Sequence, residues 1–196
     1  MGEASGLGVV PDGLKVYNSR MTRTVIHTDD TGKDLGDVEL LAAHTGTGIR
    51  HLAFSVYVFN PDKSKMIIQK RSSKKMLWPM IWANTCCSHP LRGEMPEQAG
   101  ERRLREELGF TCVLKEGTSF TYRAEDPSGR GVEDEYDTIL IGIVPEEQII
   151  NPNPEEVAEW QWISLATLRS DMERTKNRYA PWFHLGLPKA VSCLQS

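Results

Sequence analysis

From residue 21 onward the apolar positions fall into short runs separated by polar turns, whereas residues 1–20 are rich in glycine and serine with few periodic apolar positions. This contrast predicts a loosely attached arm over 1–20 and a single domain over 21–196. MTRTVIHTD reads as a strand, TDDTGKD as a turn, and DLGDVELLAAH as a second strand or short helix running up to His44. HLAFSVYVFN is a nearly continuous apolar and β-branched run, which predicts a buried strand, and PDKSK followed by MIIQKR completes a hairpin. GEMPEQAGERRLREELGF carries helix signals at both ends. Pro96 suits the first turn, Glu97 lies near the positive end of the dipole and Gly109 is placed to terminate, which predicts a helix over 96–108. FTYRAEDPSGRGVEDEYDTILIGIV gives strand, loop and strand, and EVAEWQWISLATLRSDMER gives a strand turning into a helix. Strands interleaved with a few helices predict an α/β sandwich around a mixed sheet.

Composition narrows the function classes. With 196 residues and 39% apolar content the chain can bury one substantial core. Its formal net charge of −4 argues against binding nucleic acid by phosphate neutralisation, so any polyanionic partner must be held locally. No segment approaches the roughly 20 apolar residues that span a bilayer, and the first residues lack a basic n-region, so a soluble, cytoplasmic protein is expected. Cys86, Cys87, Cys112 and Cys193 include no CxxC pair, which favours reduced thiols over disulfides or a zinc ribbon.

Candidate chemistry gathers around NTCCSHP, residues 84–90. Read alone, its two cysteines and His89 leave a redox pair, half a metal site and a catalytic thiol all open. His44 and His51 flank the TGTGIR loop, and Glu133 and Glu135 stand two apart in VEDEYD. In a strand, i and i+2 share a face, so both carboxylates can aim at one point, although VEDEYD also reads as a solvated acidic loop. Should they converge, three imidazoles and two carboxylates suit a divalent ion such as Mn²⁺ or Mg²⁺, or Zn²⁺. Arg71, Lys74 and Lys75 in QKRSSKK precede the tryptophan-rich run WPMIWANTCCSHP, an order that suits a pocket with a phosphate at its rim.

The helix RRLREELGF resembles the end of a Nudix box, with Glu94 at the required upstream spacing. Arg103 takes the place of the box's first glutamate after its arginine, and Ser88 the place of its opening glycine. Arg102 to Glu106 and Arg103 to Glu107 are i,i+4 pairs in the less favourable order, so these acids are candidates for more than helix stability.

Taken together, AAHTGTGIRHLAFSVYVFN, QKRSSKK, WANTCCSHP, ERRLREELG, YRAEDPSG, VEDE, NPEEVAEWQW and APWF closely resemble the type 1 isopentenyl-diphosphate isomerase family, a branch of the Nudix superfold. The resemblance covers residues 25–185 and implies a Nudix-like α/β/α sandwich that interconverts isopentenyl and dimethylallyl diphosphate. It implies Cys87 and Glu135 as catalytic groups, supported by Tyr122 and Trp182. His44, His51, His89, Glu133 and Glu135 become ligands of one metal, Mn²⁺ or Mg²⁺ with Zn²⁺ as an option. Glu107 becomes the carboxylate for the Mg²⁺ that accompanies the substrate, and Arg71, Lys75 and Arg103, with Ser88, the surroundings of its diphosphate. Cys86 falls at a position that varies in the family. The sole partner expected is the small-molecule diphosphate, with neither nucleic acid nor membrane, on a monomer or weak homodimer. Met80 replaces a usual glycine and Leu40 a lysine found in some members. The alternatives are a Nudix hydrolase of a nucleoside or isoprenoid diphosphate, which the substitution at Arg103 opposes, and an inactive metal-binding module on the same fold.

Overall fold

The computed structural model describes residues 23–195, so the arm expected over 1–20 lies outside the described residues. The chain runs β1 (Thr24–Thr28), β2 (Asp34–Glu39), α1 (Leu40–Ala43), β3 (His51–Phe59), β4 (Lys65–Arg71), β5 (Trp82–Ala83) and β6 (Cys86–Ser88). It continues with α2 (Pro96–Leu108), β7 (Leu114–Glu125), β8 (Val132–Ile143), β9 (Val157–Ser164), α3 (Leu165–Arg174), a 3-10 turn at Lys176–Arg178 and α4 (Pro181–Cys193). Among the described residues, nine strands form one mixed sheet. None of the described helices is long and apolar enough to cross a membrane.

β3 is the hub. It pairs in parallel with β8 along its whole length, from His51 opposite Glu135 to Phe59 opposite Ile143, and antiparallel with β6 on its other edge. Successive side chains of a strand point to opposite faces. Phe54, Val56 and Val58 accordingly pack with Leu104 and Leu108 of α2 and Leu140 of β8. Tyr57 and Phe59 pack with Leu168 of α3 and Phe183 and Leu187 of α4. Both faces of the central strand are covered, which is why its sequence is a continuous apolar run rather than an alternating one. The result is the α/β sandwich around a mixed sheet expected from the pattern of elements, with helices on both faces as the family resemblance implies.

Three details differ from expectation. The hairpin of β3 and β4 pairs only at its closed end, Phe59 opposite Met66. The strands then part because β3 takes β6 and β8 as partners while β4 takes β5 and β9. The solvated-loop reading of VEDEYD is overturned, since these residues open β8 with Glu133 and Glu135 both buried. The tryptophans of WPMIW, finally, line a second cavity of about 520 Å³ rather than the candidate pocket itself, with Trp78 packed edge-on against Trp182 at 5.4 Å.

α2 occupies the predicted span. The Gln98 side chain accepts the Met95 N–H at its start, and Gly109 ends it in the left-handed conformation at φ 72°. The loop before β9 closes the end, with Asn151 and Asn153 donating N–H groups to the carbonyls of Leu108 and Glu107.

Candidate active site

Five side chains able to hold a metal ion arrive from four elements. α1 is a single turn capped by Glu39, whose carboxylate accepts the Ala42 N–H, and it delivers His44 at its end. β3 begins at His51, His89 follows β6, and β8 contributes Glu133 and Glu135 on one face. Gly131 allows the close approach of these segments, because a Cβ there would sit 2.2 Å from the His44 carbonyl oxygen. That carbonyl accepts the Val132 N–H at 3.0 Å and fixes His44 beside Glu133.

One ligand atom from each of His44, His51, His89, Glu133 and Glu135 lies within 4.8 Å of all the others. His44 Nδ1 donates to the Leu40 carbonyl at 2.7 Å and His51 Nδ1 to the Ile49 carbonyl at 2.8 Å. These assignments leave both Nε2 lone pairs facing the centre, the tautomer a metal requires. His51 Nε2 and His89 Nε2 stand 3.1 Å apart. Glu133 Oε2 is buried 2.9 Å from His44 Nε2 without an aligned hydrogen-bond partner among the described residues. Converging lone pairs and an orphaned buried carboxylate oxygen are costly without a central cation, so this donor set fits a divalent ion.

Electrostatics within the cluster are strongly polarised. Burial lowers the His44 pKa, but the Glu133 carboxylate overrides it and pushes it up to about 9, a demand for positive charge at Nε2 that a metal ion would meet in place of a proton. Burial pushes His89 down to about 4. Burial and the charge of Glu135 raise Glu133, whereas Glu135, despite its own burial, is held well below the usual range by His51 and His89. The Tyr122 hydroxyl, on β7 directly opposite Glu135, donates to Glu135 Oε2 at 2.5 Å.

Cys87 lies across β3 from this cluster, paired in register with Ser55, and it lines the same cavity of about 380 Å³ as Glu135, Tyr122 and Trp182. Burial pushes its thiol up to about 12 against the opposing charge of Arg71. Cys86 points the other way, wholly buried with the α2 core, which agrees with a packing role. Asn84 ties the segment together by donating to the carbonyls of Val56 and Cys86 and accepting the Trp182 indole N–H at 3.0 Å. Trp182 is thereby held against the cavity from α4.

The cations form a second cluster at the mouth. Arg103 and Lys75 both meet Glu107, whose other oxygen accepts from Gln69 at 2.9 Å. Both cations also meet Glu156. Ser88 and Lys74 line the same mouth. Arg71 differs from the expected free phosphate ligand. Its Nε and Nη2 donate to the carbonyls of Trp78 and Leu77 at 3.1 and 2.9 Å, its Nη1 stands 3.9 Å from Cys87 Sγ, and its guanidinium lies over Trp182 at 5.3 Å. Two of the retained Nudix-box residues, Glu94 and Arg102, pair with each other through two hydrogen bonds of 2.8 and 2.9 Å. Sequence reasoning missed Gln69, Asn84 and Glu156. Only the position of Glu156 in NPEEV hinted at a role, and its pairing depends on contacts remote in the chain.

A NUDIX domain model matches residues 49–183. The isopentenyl-diphosphate Delta-isomerase of Halorhodospira halophila is 40% identical over 159 residues, covering 81% of this chain and 90% of the relative. That of Paenarthrobacter aurescens is 38% identical over 172 residues, covering 87% and 91%. Among solved structures, a protein from Deinococcus radiodurans superposes with a TM-score of 0.67 at 16% identity, covering 85% of this chain and 99% of that one, a likeness of fold alone.

Proposed function

The chain belongs to the isopentenyl-diphosphate Delta-isomerases of the Nudix superfamily, and we propose on that premise that it interconverts isopentenyl and dimethylallyl diphosphate by moving one double bond. The observation that carries this reading is a single cavity lined by the Cys87 thiol, the Tyr122–Glu135 pair and the Trp182 face, with the cations Arg103 and Lys75 at its mouth.

An unactivated alkene is a very poor base, so its protonation needs a donor held against the double bond with water excluded. One proton added at the terminal methylene gives a tertiary carbocation, and one proton removed from the neighbouring CH₂ forms the new double bond. Cys87 and Glu135 are the two proton-transfer groups, and they exchange roles when the reaction runs in reverse. Tyr122 orients the Glu135 carboxylate through its 2.5 Å hydrogen bond. The π face of Trp182 stabilises the carbocation by about 2 kcal/mol once desolvated. Arg71, fixed by the Trp78 and Leu77 carbonyls, holds its positive charge beside the sulfur. His44, His51, His89, Glu133 and Glu135 would hold Mn²⁺, Mg²⁺ or Zn²⁺, whose charge would restrain the basicity of Glu135, and Glu107 would meet the Mg²⁺ that accompanies the substrate diphosphate. Lys75 and Arg103 grip the diphosphate, supplying binding energy far from carbons that offer no polar handle.

Hydrolysis fits less well, because Arg103 stands where a Nudix box places a carboxylate beside its arginine. The deciding experiment incubates the protein with Mg²⁺ and isopentenyl diphosphate in D₂O and follows products by NMR. Dimethylallyl diphosphate carrying deuterium, without release of inorganic phosphate, is expected. Phosphate release without isomerised product would replace the isomerase by the hydrolase.

A further inference from the structure

Four charged side chains at the cavity mouth neutralise one another. Lys75 Nζ is bonded to Glu156 and stands 3.5 Å from Glu107, while Arg103 Nη2 is bonded to Glu107 and stands 3.3 Å from Glu156. The two acids are not equivalent. Glu107 is 1% exposed along its side chain, and Gln69 holds its second oxygen. Glu156 is 26% exposed at the rim, and among the described residues its ion-pair partners are these two cations alone. Its backbone is nonetheless fixed: its carbonyl accepts the Ser72 N–H at 2.9 Å and its N–H donates to Asn153 at 3.0 Å. Asn153 in turn donates to the carbonyl of Glu107 at the end of α2. The fold therefore presents one anchored, half-buried carboxylate to the pair of cations best placed to receive a diphosphate.

We propose that Glu156 is an internal competitor of the substrate diphosphate, a built-in anion that holds Lys75 and Arg103 in place and must leave them when the diphosphate arrives. The proposal rests on the reading of Lys75 and Arg103 as diphosphate ligands. Its physical basis is that two cations crowded against the buried Glu107 repel each other, and the rim carboxylate of Glu156, which meets both of them, orders the pair, whereas Glu106 meets Arg103 but not Lys75. The carboxylate that orders them also opposes every incoming anion. Glu156 thus sets how tightly substrate and product are held without touching the reacting carbons, which makes it a positioning residue.

The test measures binding of inorganic diphosphate with Mg²⁺ to the full chain by calorimetry, alongside KM and kcat for isopentenyl diphosphate. Glu156→Gln is expected to bind diphosphate about three- to tenfold more tightly and to lower KM by a similar factor, with kcat changing less than KM. Glu156→Asp, whose shorter arm draws the charge back from both cations, is expected to shift in the same direction by less. A gain in melting temperature on adding diphosphate that is larger for Glu156→Gln than for the parent supports the proposal. Binding equal to the parent's overturns it, and weaker binding overturns it and would make Glu156 a partner of the diphosphate rather than its rival. Lys75→Gln separates the two ideas. If it weakens diphosphate binding while Glu156→Gln fails to tighten it, the competitor role alone falls. If Lys75→Gln leaves binding unchanged, the assignment of the cations falls, and the competitor role with it.

Discussion

The two clusters that flank the cavity are opposites in how their charges are satisfied. In the first, the Nε2 atoms of His44, His51 and His89 and the carboxylates of Glu133 and Glu135 crowd within 4.8 Å with lone pairs directed at one another. In the second, Lys75 and Arg103 are shared between Glu107 and Glu156, Arg103 also meets Glu106, and both cations are paired inside the protein. The first is a set of acceptors that a cation completes. The second is complete as it stands and, under the proposed function, would give up a contact to admit an anion. In that reading metal affinity at the first site would follow from unmet demand, and diphosphate affinity at the second would be a difference between two competing sets of pairs.

Cys87 lies where the two regions meet, with Arg71 on one side and the Glu135 cluster on the other, so it is the sharpest point of the comparison. Cys87→Ala is expected to lower turnover by about 10³-fold, a typical share for one proton-transfer group. Cys86→Ala, one residue away but packed beneath α2, should keep activity within a few-fold and cost about 1 kcal/mol of stability. Steady-state rates and denaturant melts on both variants check this. Equal losses of activity would mean that the segment, rather than one thiol, is what matters.

The next break separates the clusters by their response to ions. Glu133→Gln removes the orphaned oxygen's charge, and activity should fall about 100-fold as metal affinity drops. Adding Mn²⁺ to metal-stripped parent protein should raise its melting temperature, and Glu133→Gln should abolish most of that rise. Arg103→Gln should retain it. A melting shift lost equally in both variants would make the two clusters one.

Arg103→Glu attacks the second cluster directly. It places a fourth acid against Glu106, Glu107 and Glu156 in a site where Arg103 now serves all three, and the expected cost is about 3 kcal/mol in urea unfolding, with KM raised. Restoring the carboxylate of a Nudix box in this way is expected to yield no phosphate release, because the neighbouring Lys75 and Glu156 remain arranged for pairing with each other.

What could be read from the sequence follows the range of the forces involved. The bounds of α2 were legible because Pro96 and Gly109 act locally, and β3 was legible because a strand covered on both faces must be apolar throughout. β5 and β6 were not, since strands of two and three residues exist only through their partners β4 and β3. α4 was hidden by Pro188 in its interior, a cost that the burial of Trp182, Phe183 and Leu187 offsets. In the site, the spacing of Glu133 and Glu135 announced a shared face, but only the resemblance to a family brought His44, His51 and His89 to it. Asn84 and Glu156 act through partners that are remote in sequence, and no local pattern marks them. Met80 was visible as a departure from a usual glycine, and its backbone adopts the conformation that glycine favours.

That residue supplies the smallest and most local test, on the loop that holds Arg71 between the two clusters. Met80 sits at φ 61° and Trp78 at φ 43°, both left-handed, while the Met80 N–H donates to the Arg71 carbonyl at 3.0 Å and Arg71 returns two hydrogen bonds to Trp78 and Leu77. The turn is thus fixed by its exchange with Arg71 against the preference of its own residues. Met80→Gly removes a left-handed penalty of about 1–2 kcal/mol and adds back part of it as entropy of the unfolded chain. Met80 is 46% exposed, so little packing is lost with its side chain. A net gain of about 0.5–1 kcal/mol in urea unfolding is expected, with unchanged kcat. If Met80→Gly instead loosens the loop, Arg71 loses its carbonyl partners and the charge beside Cys87 becomes mobile. A fall in kcat without a fall in stability would then show that Met80 is there to stiffen the Arg71 support, and that the strain is part of what keeps the metal side and the diphosphate side in register.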